Sequence, residues 1–130
     1  MIHFITGNKN KFEEAKKIIS ELELLSLELD EIQELDPKKV IEHKMKEAFK
    51  IHQGPFLIED SGIKLFFLNG FPGPLAKWFL KSLGIKKIYE LMSKSGESDE
   101  AEGYAILGYA RSPEDIHYFC LLYTSPSPRD

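Results

Sequence analysis

Apolar and polar positions alternate along this chain in blocks that read, in turn, as strands and helices. Ile2-His3-Phe4-Ile5 is a short apolar run expected to form a first strand. Thr6-Gly7-Asn8-Lys9-Asn10-Lys11 is polar and leads into a helix. From Phe12 the apolar positions Phe12, Ala15, Ile19 and Leu22 keep a helical period, with Glu13 and Glu14 expected in the first turn, favouring the dipole. Leu24 to Leu29 predicts a second strand. Asp36-Pro37 marks a helix start, with Asp as cap and Pro at the first helical position. Ile41, Met45, Ala48, Phe49 and His52 then share one face, and Lys44 lies at its edge, where most lysines snorkel to water.

Pro55 to Ile58 predicts a short buried strand, Glu59-Asp60-Ser61-Gly62 a turn with Gly62 at positive φ, and Ile63 to Leu68 a further strand. Asn69 to Pro74 is a rigid turn of two glycines and two prolines. Leu75, Trp78, Phe79 and Leu83 predict a short amphipathic helix broken by Gly84, and Ile85, Ile88, Leu91 and Met92 a second. Residues 93–100 read as a polar loop. Residues 101–111 form a strand apolar on both faces, and a turn at Ser112–Asp115 leads to a hairpin partner beginning at Ile116. Early alternation of strand and helix with a late hairpin gives an α/β class with a mixed central sheet flanked by helices.

Composition narrows the field. The chain has 130 residues, 42% hydrophobic and 29% charged, which fits one ordinary globular domain. No apolar run approaches the ~20 residues that span a bilayer, and the N-terminus lacks a signal peptide's apolar segment. Cys120 stands alone, which excludes an internal disulfide framework and fits a reducing cytoplasm. Net charge is −4 with scattered basic residues, an argument against broad nucleic-acid binding. An acidic protein that binds a small polyphosphate needs local donors and a metal.

Two stretches carry candidate chemistry. Glu59 and Asp60 follow a buried strand, and neighbours on a strand point to opposite faces, so at least one needs a cation, donors or a metal. The order strand, glycine-containing loop, helix N-terminus at Thr6–Lys11 presents backbone N–H groups and a positive dipole end, with Lys9 and Lys11 beside them. It reads either as an anion cradle or as a plain connection with solvated lysines. It is not a Walker A loop, which ends Gly-Lys-Ser/Thr. Neither His43 nor His52 has metal-ligand spacing with cysteine; both read as surface or stripe-edge residues.

Taken together, Thr6-Gly7-Asn8-Lys9-Asn10-Lys11-Phe12-Glu13-Glu14, Glu31-Ile32-Gln33, and Glu59-Asp60-Ser61-Gly62 followed by Asn69-Gly70-Phe71-Pro72-Gly73-Pro74 resemble the signatures of one family. It is the inosine/xanthosine triphosphate pyrophosphatases. The resemblance runs from Ile2 to about Phe119 and implies the ITPase-like (anticodon-binding-like) fold. It also implies hydrolysis of noncanonical purine nucleoside triphosphates (ITP, dITP, XTP) to the monophosphate and pyrophosphate, with Mg²⁺. Glu31 and Asp60 are then the metal ligands, and Asp60 the catalytic base. Thr6, Gly7, Asn8, Lys9, Asn10 and Lys11 cradle the phosphates, Lys44 meets a phosphate and Ser61 contacts substrate. The family implies a homodimer.

The chain departs from the family's pattern late. The Phe-Gly-Tyr/Trp-Asp segment, the downstream lysine and the Ser-His-Arg triplet that read base and phosphates in the family do not occur here. Residues 120–130, Cys-Leu-Leu-Tyr-Thr-Ser-Pro-Ser-Pro-Arg-Asp, closely resemble an in-frame translation of a sequencing-library transposon adapter. The expectation is therefore a family domain at 1–119, incomplete at its C-terminus, and a non-native tail at 120–130. Two other readings accompany the purine enzyme. One is a folded nucleotide-binding fragment without activity; the other is a relative acting on pyrimidine or modified nucleotides, whose Ser-x-Ser-Pro-Arg-Arg opening is absent here.

Overall fold

The computed structural model describes residues 1–126; the last four residues of the expected tail, 127–130, lie outside it. In chain order the elements are β1 (Ile2–Ile5), α1 (Lys9–Ile18), β2 (Leu22–Leu25), α2 (Pro37–Ile51), β3 (Phe56–Leu65), a 3₁₀ turn (Phe66–Leu68), β4 (Pro72–Gly73), α3 (Ala76–Leu83), α4 (Ile85–Ser95), β5 (Glu100–Ser112) and β6 (Asp115–Pro126). The strands form one sheet in the order β2-β1-β3-β5-β6, with β4 paired to β3 off this path. β1 runs parallel to β2 and β3, while β4 is antiparallel to β3, so the sheet is mixed as the sequence predicts.

The chain divides into two compact units. The first comprises Met1–Ile32, Lys38–Asp60 and Ile106–Phe119. One core there joins Phe4, Leu22 and Leu57 to Phe12 and Ala15 of α1 and to Leu107 and Tyr109 of β5. Strand alternation sends Phe56 and Ile58 to the face opposite Leu57. There α2 buries Val40, Ile41, Met45 and Ala48, and Phe49 meets the Phe56 ring edge to face at 4.7 Å. Gly108 permits close helix–strand packing: a Cβ there would lie 2.6 Å from Ile41 Cγ2.

The second unit comprises Gln33–Pro37, Ser61–Ala105 and, among the described residues, 120–126. Its core gathers Leu65, Ile88 and Met92, with Ile63, Phe67, Phe79 and Ala101 packed against them. Gly84 stands between α3 and α4 at φ 81°, so the break falls where the sequence predicts it.

Several boundaries differ from expectation. Asn8 caps α1, which therefore starts at Lys9; Glu13 and Glu14 fall beyond the first turn, and the helix has no acidic residue there. It also ends at Ile18, because Leu22 is buried as the first residue of β2 rather than as a helical position; β2 in turn ends at Leu25. The expected turn at 59–62 does not form. β3 runs unbroken from Phe56 to Leu65, and Gly62 is not among the positive-φ residues. Gly62 has a different reason to lack a side chain: a Cβ would collide with the Gly73 carbonyl oxygen and the Tyr104 hydroxyl. The expected strand to Leu68 ends instead at Leu65, where the 3₁₀ turn begins and Asn69 closes it in the left-handed region at φ 56°. α4 continues to Ser95 before Gly96 caps it, which shortens the expected polar loop. Trp78 does not enter the core; it is 56% exposed, and Ala76 is the buried residue of α3.

Candidate functional site

Register brings the polar segments of the first unit to one end of the sheet. Ile5 pairs with Leu25 on β2 and with Ile58 on β3, all three strands running parallel. The loop Thr6–Asn8, the segment after Leu25 that carries Glu31, and Glu59-Asp60 therefore all follow the carboxyl side of the same row. In open parallel sheets that end is where ligands bind.

The loop after β1 is organised by its own side chains. Asn8 Oδ1 accepts from the backbone N–H groups of Asn10 at 3.0 Å and Lys11 at 3.2 Å, and the Asn8 N–H donates to Thr6 Oγ1 at 3.1 Å. Two of the helix's otherwise unpaired N–H groups are thus already satisfied, which limits the backbone donors that α1 offers an anion. Gly7, Asn8, Lys9 and Asn10 are exposed, while Thr6 and Lys11 are half-buried. At Gly7 an added Cβ would meet nothing within 4 Å, so neither packing nor a positive φ requires glycine there.

Glu59 shares its face with Leu57 by alternation, and so points to the α1 side of the sheet. Its Oε1 accepts from Lys11 Nζ at 2.6 Å, and its side chain is only 19% exposed. This partner for Glu59 is one of two site contacts that sequence reasoning missed, the other being Lys44 with Glu31. The signal available was the cost of a carboxylate on a buried strand, but the identity of its cation is a tertiary fact. A cleft of about 190 Å³ opens beside the pair, walled by Phe4, Ala15, Ile18 and Leu107.

Asp60 follows on the opposite side of the strand, half-buried, with Oδ2 buried. Ser61, the next residue, is exposed and opens the second unit. Lys44 does not snorkel to water. Its side chain is 14% exposed and its Nζ donates to Glu31 Oε1 at 3.0 Å. The structure thus joins Lys11 to Glu59 and Lys44 to Glu31. It brings no three acidic, histidine or cysteine side chains together in metal-binding geometry among the described residues. His43 is half-buried and meets Glu47 at 3.1 Å; His52 stays exposed, edge-on to His3.

An α/β domain whose parallel strands lead, past their last shared row, into segments carrying the ion-paired carboxylates Glu31 and Glu59 is the class that fold and site define. The chain belongs to the Ham1 family, whose model matches residues 2–120. It is 38% identical over 122 residues to an inosine triphosphate pyrophosphatase of Schizosaccharomyces pombe, covering 91% of this chain and 64% of that protein. Against the inosine triphosphate pyrophosphatase of Saccharomyces cerevisiae it is 32% identical over 130 residues, covering 91% and 66%. The chain thus spans somewhat less than two thirds of the length of these relatives. Among solved structures, a HAM1 protein from Coxiella burnetii superposes with a TM-score of 0.77 at 16% identity, over 97% of this chain and 73% of that one. A nucleoside-triphosphatase (dITP/XTP pyrophosphatase) from Mycobacterium abscessus gives 0.76 at 20% identity, over 97% and 74%. The fold is that of these proteins.

Proposed function

We propose that this chain carries the phosphate-handling part of a noncanonical purine nucleoside triphosphate pyrophosphohydrolase, acting on ITP, dITP and XTP. What supports the reading is the parallel register of β1, β2 and β3: past the paired row of Ile5, Leu25 and Ile58 the chain runs into Thr6–Lys11, into the segment that carries Glu31, and into Glu59-Asp60. The names of the relatives supply the substrate class.

In the reaction a water oxygen bonds to the α-phosphorus and the bridge to the β-phosphorus breaks. Nucleoside monophosphate and pyrophosphate leave. Asp60 orients that water and takes its proton. Lys11 and Lys44, each already held by a carboxylate, turn toward phosphate oxygens whose charge grows as the bond breaks. Thr6 and the Gly7–Asn10 loop approach the phosphates, where a side chain at position 7 would intrude. Ser61 contacts the substrate. Glu31 and Asp60 are hard oxygen donors, suited to Mg²⁺ rather than to a thiolate- or imidazole-seeking ion. One or two carboxylates are what a protein ordinarily offers that ion, and Glu31 and Asp60 would be the pair that holds it. Held by Glu31 and Asp60, the ion would supply charge neutralisation at the phosphate oxygens. The family reading further implies a homodimer, which light scattering on the purified chain tests, and the lone Cys120 fits a reducing cytoplasm.

A second reading is a folded domain that binds triphosphate through Lys11 and Lys44 without turning it over. Incubating the purified protein with ITP and Mg²⁺ in ¹⁸O-water separates the two. Pyrophosphate release with the label in inosine monophosphate supports the hydrolase. Saturable ITP binding without release supports the binding domain, and neither overturns both.

A further inference from the structure

The segment between β2 and α2 that carries Glu31 contains no helix or strand, so no ladder of backbone hydrogen bonds holds it. Helix α2 supplies two contacts instead. Lys44 Nζ reaches Glu31 Oε1 at 3.0 Å. One turn further along, Glu47 Oε1 accepts from the backbone N–H of Asp30 at 3.0 Å. The other oxygen of the same carboxylate meets His43 Nε2 at 3.1 Å, a partner four residues back on the same helix face. Both Glu47 oxygens are therefore committed, one to the helix surface and one to the loop. All of these groups lie in the first unit.

The two contacts differ in kind. Lysine is a point charge on a flexible stem and can follow a carboxylate wherever it moves. A hydrogen bond from a main-chain N–H fixes the backbone itself, one residue before Glu31. We propose that Glu47 is a positioning residue for Glu31: it clamps the Asp30 peptide so that the neighbouring carboxylate is held for a divalent cation, and His43 fixes the Glu47 rotamer. The proposal rests on the reading of Glu31 as a metal ligand.

Groups that orient metal ligands commonly change metal affinity by about 10–100-fold when removed. Mn²⁺, observed by its paramagnetic resonance signal, titrated into the protein without nucleotide gives a readout independent of turnover. Glu47→Ala weakens Mn²⁺ binding at least about tenfold while the thermal transition moves little, since alanine is the best helix former. Glu47→Gln restores wild-type binding, because its amide oxygen accepts from Asp30 and its amide nitrogen donates to His43. Glu31→Ala abolishes binding in either background. If wild type binds Mn²⁺ and Glu31→Ala loses it, yet Glu47→Ala binds as tightly as wild type, the positioning role is overturned alone. It is overturned likewise if Glu47→Gln is as defective as Glu47→Ala, for then charge and not the clamp matters. If wild type does not bind Mn²⁺, or Glu31→Ala binds it normally, the metal reading of Glu31 falls and this inference with it.

Discussion

Lys11 and Glu59, 48 residues apart in sequence, form an ion pair at 2.6 Å between the first turn of α1 and the middle of β3. The pair ties the loop after β1 to the strand that carries Asp60. Its energetic worth is unequal on the two sides. Lys11 is 41% exposed, so solvent screens it and holding the pair contributes little on that account. Glu59 is the more buried partner, and removing its cation leaves a poorly solvated carboxylate. Lys11→Met is therefore expected to destabilise by about 1 kcal/mol in urea unfolding. Adding Glu59→Gln should recover most of that loss. A double-mutant cycle with no coupling energy would show that the contact is incidental.

The same loop depends on Asn8. Its side chain satisfies two backbone donors of α1, so Asn8→Ala should cost about 1 kcal/mol of stability. Asn8→Asp keeps the acceptor and adds favourable charge at the helix N-terminus, and should cost nothing. Thermal melting of the three proteins checks the order. Under the proposed function the two variants part company in binding: the added carboxylate of Asn8→Asp would repel triphosphate, whereas Asn8→Ala would chiefly loosen the loop.

Two glycines offer opposite tests. Gly62→Ala puts a methyl group against the Gly73 carbonyl and the Tyr104 hydroxyl, and the strand must shift to admit it. The expected cost is about 1–3 kcal/mol, read in denaturant. Gly7→Ala meets open space and should leave stability within about 0.5 kcal/mol of wild type. If Gly7 is there for a ligand, the variant's affinity for ITP should nonetheless fall. A Gly7→Ala protein that binds ITP normally would mean that no phosphate passes close enough to that backbone to require glycine.

Much of the architecture is legible in local pattern. β1, the start of α2 at Pro37 and the break between α3 and α4 at Gly84 each carry their own signal, and all three are found where that signal stands. Errors arise where a residue serves a distant neighbour. Glu59-Asp60-Ser61-Gly62 has turn composition, yet β3 continues through it because Lys11 pairs with Glu59 and Gly62 makes room for Gly73 and Tyr104. Leu22 keeps helical spacing with Phe12 and Ala15, yet it pairs with Ile2 in the sheet, a relation no periodicity reveals. For the candidate site, strand alternation says that Glu59 needs a partner, but only the fold names Lys11. Lys44 has the look of a snorkelling lysine at a stripe edge; its capture by Glu31 depends on the course of a loop without regular structure.

Under the proposed function Asp60 bears the heaviest weight, and it admits the sharpest substitution. Asn is isosteric, so Asp60→Asn removes charge and basicity without opening a cavity. The side chain is half-buried at a point where β3 stays regular, and the variant should fold with an unchanged circular dichroism spectrum. If the proposed hydrolysis holds, pyrophosphate release from ITP should fall by about 10²–10⁴-fold, the usual effect of deleting one general base or charge-stabilising group. The loss should appear in kcat at saturating ITP and not be rescued by raising substrate, since a group that acts on the attacking water contributes to the transition state rather than to ground-state binding. Higher Mg²⁺ distinguishes the two roles assigned to this carboxylate. A ligand-only role predicts that the variant regains activity as Mg²⁺ rises. A base that also holds the metal predicts a residual deficit of at least about 10²-fold at saturation. Wild-type turnover by Asp60→Asn would remove Asp60 from the chemistry.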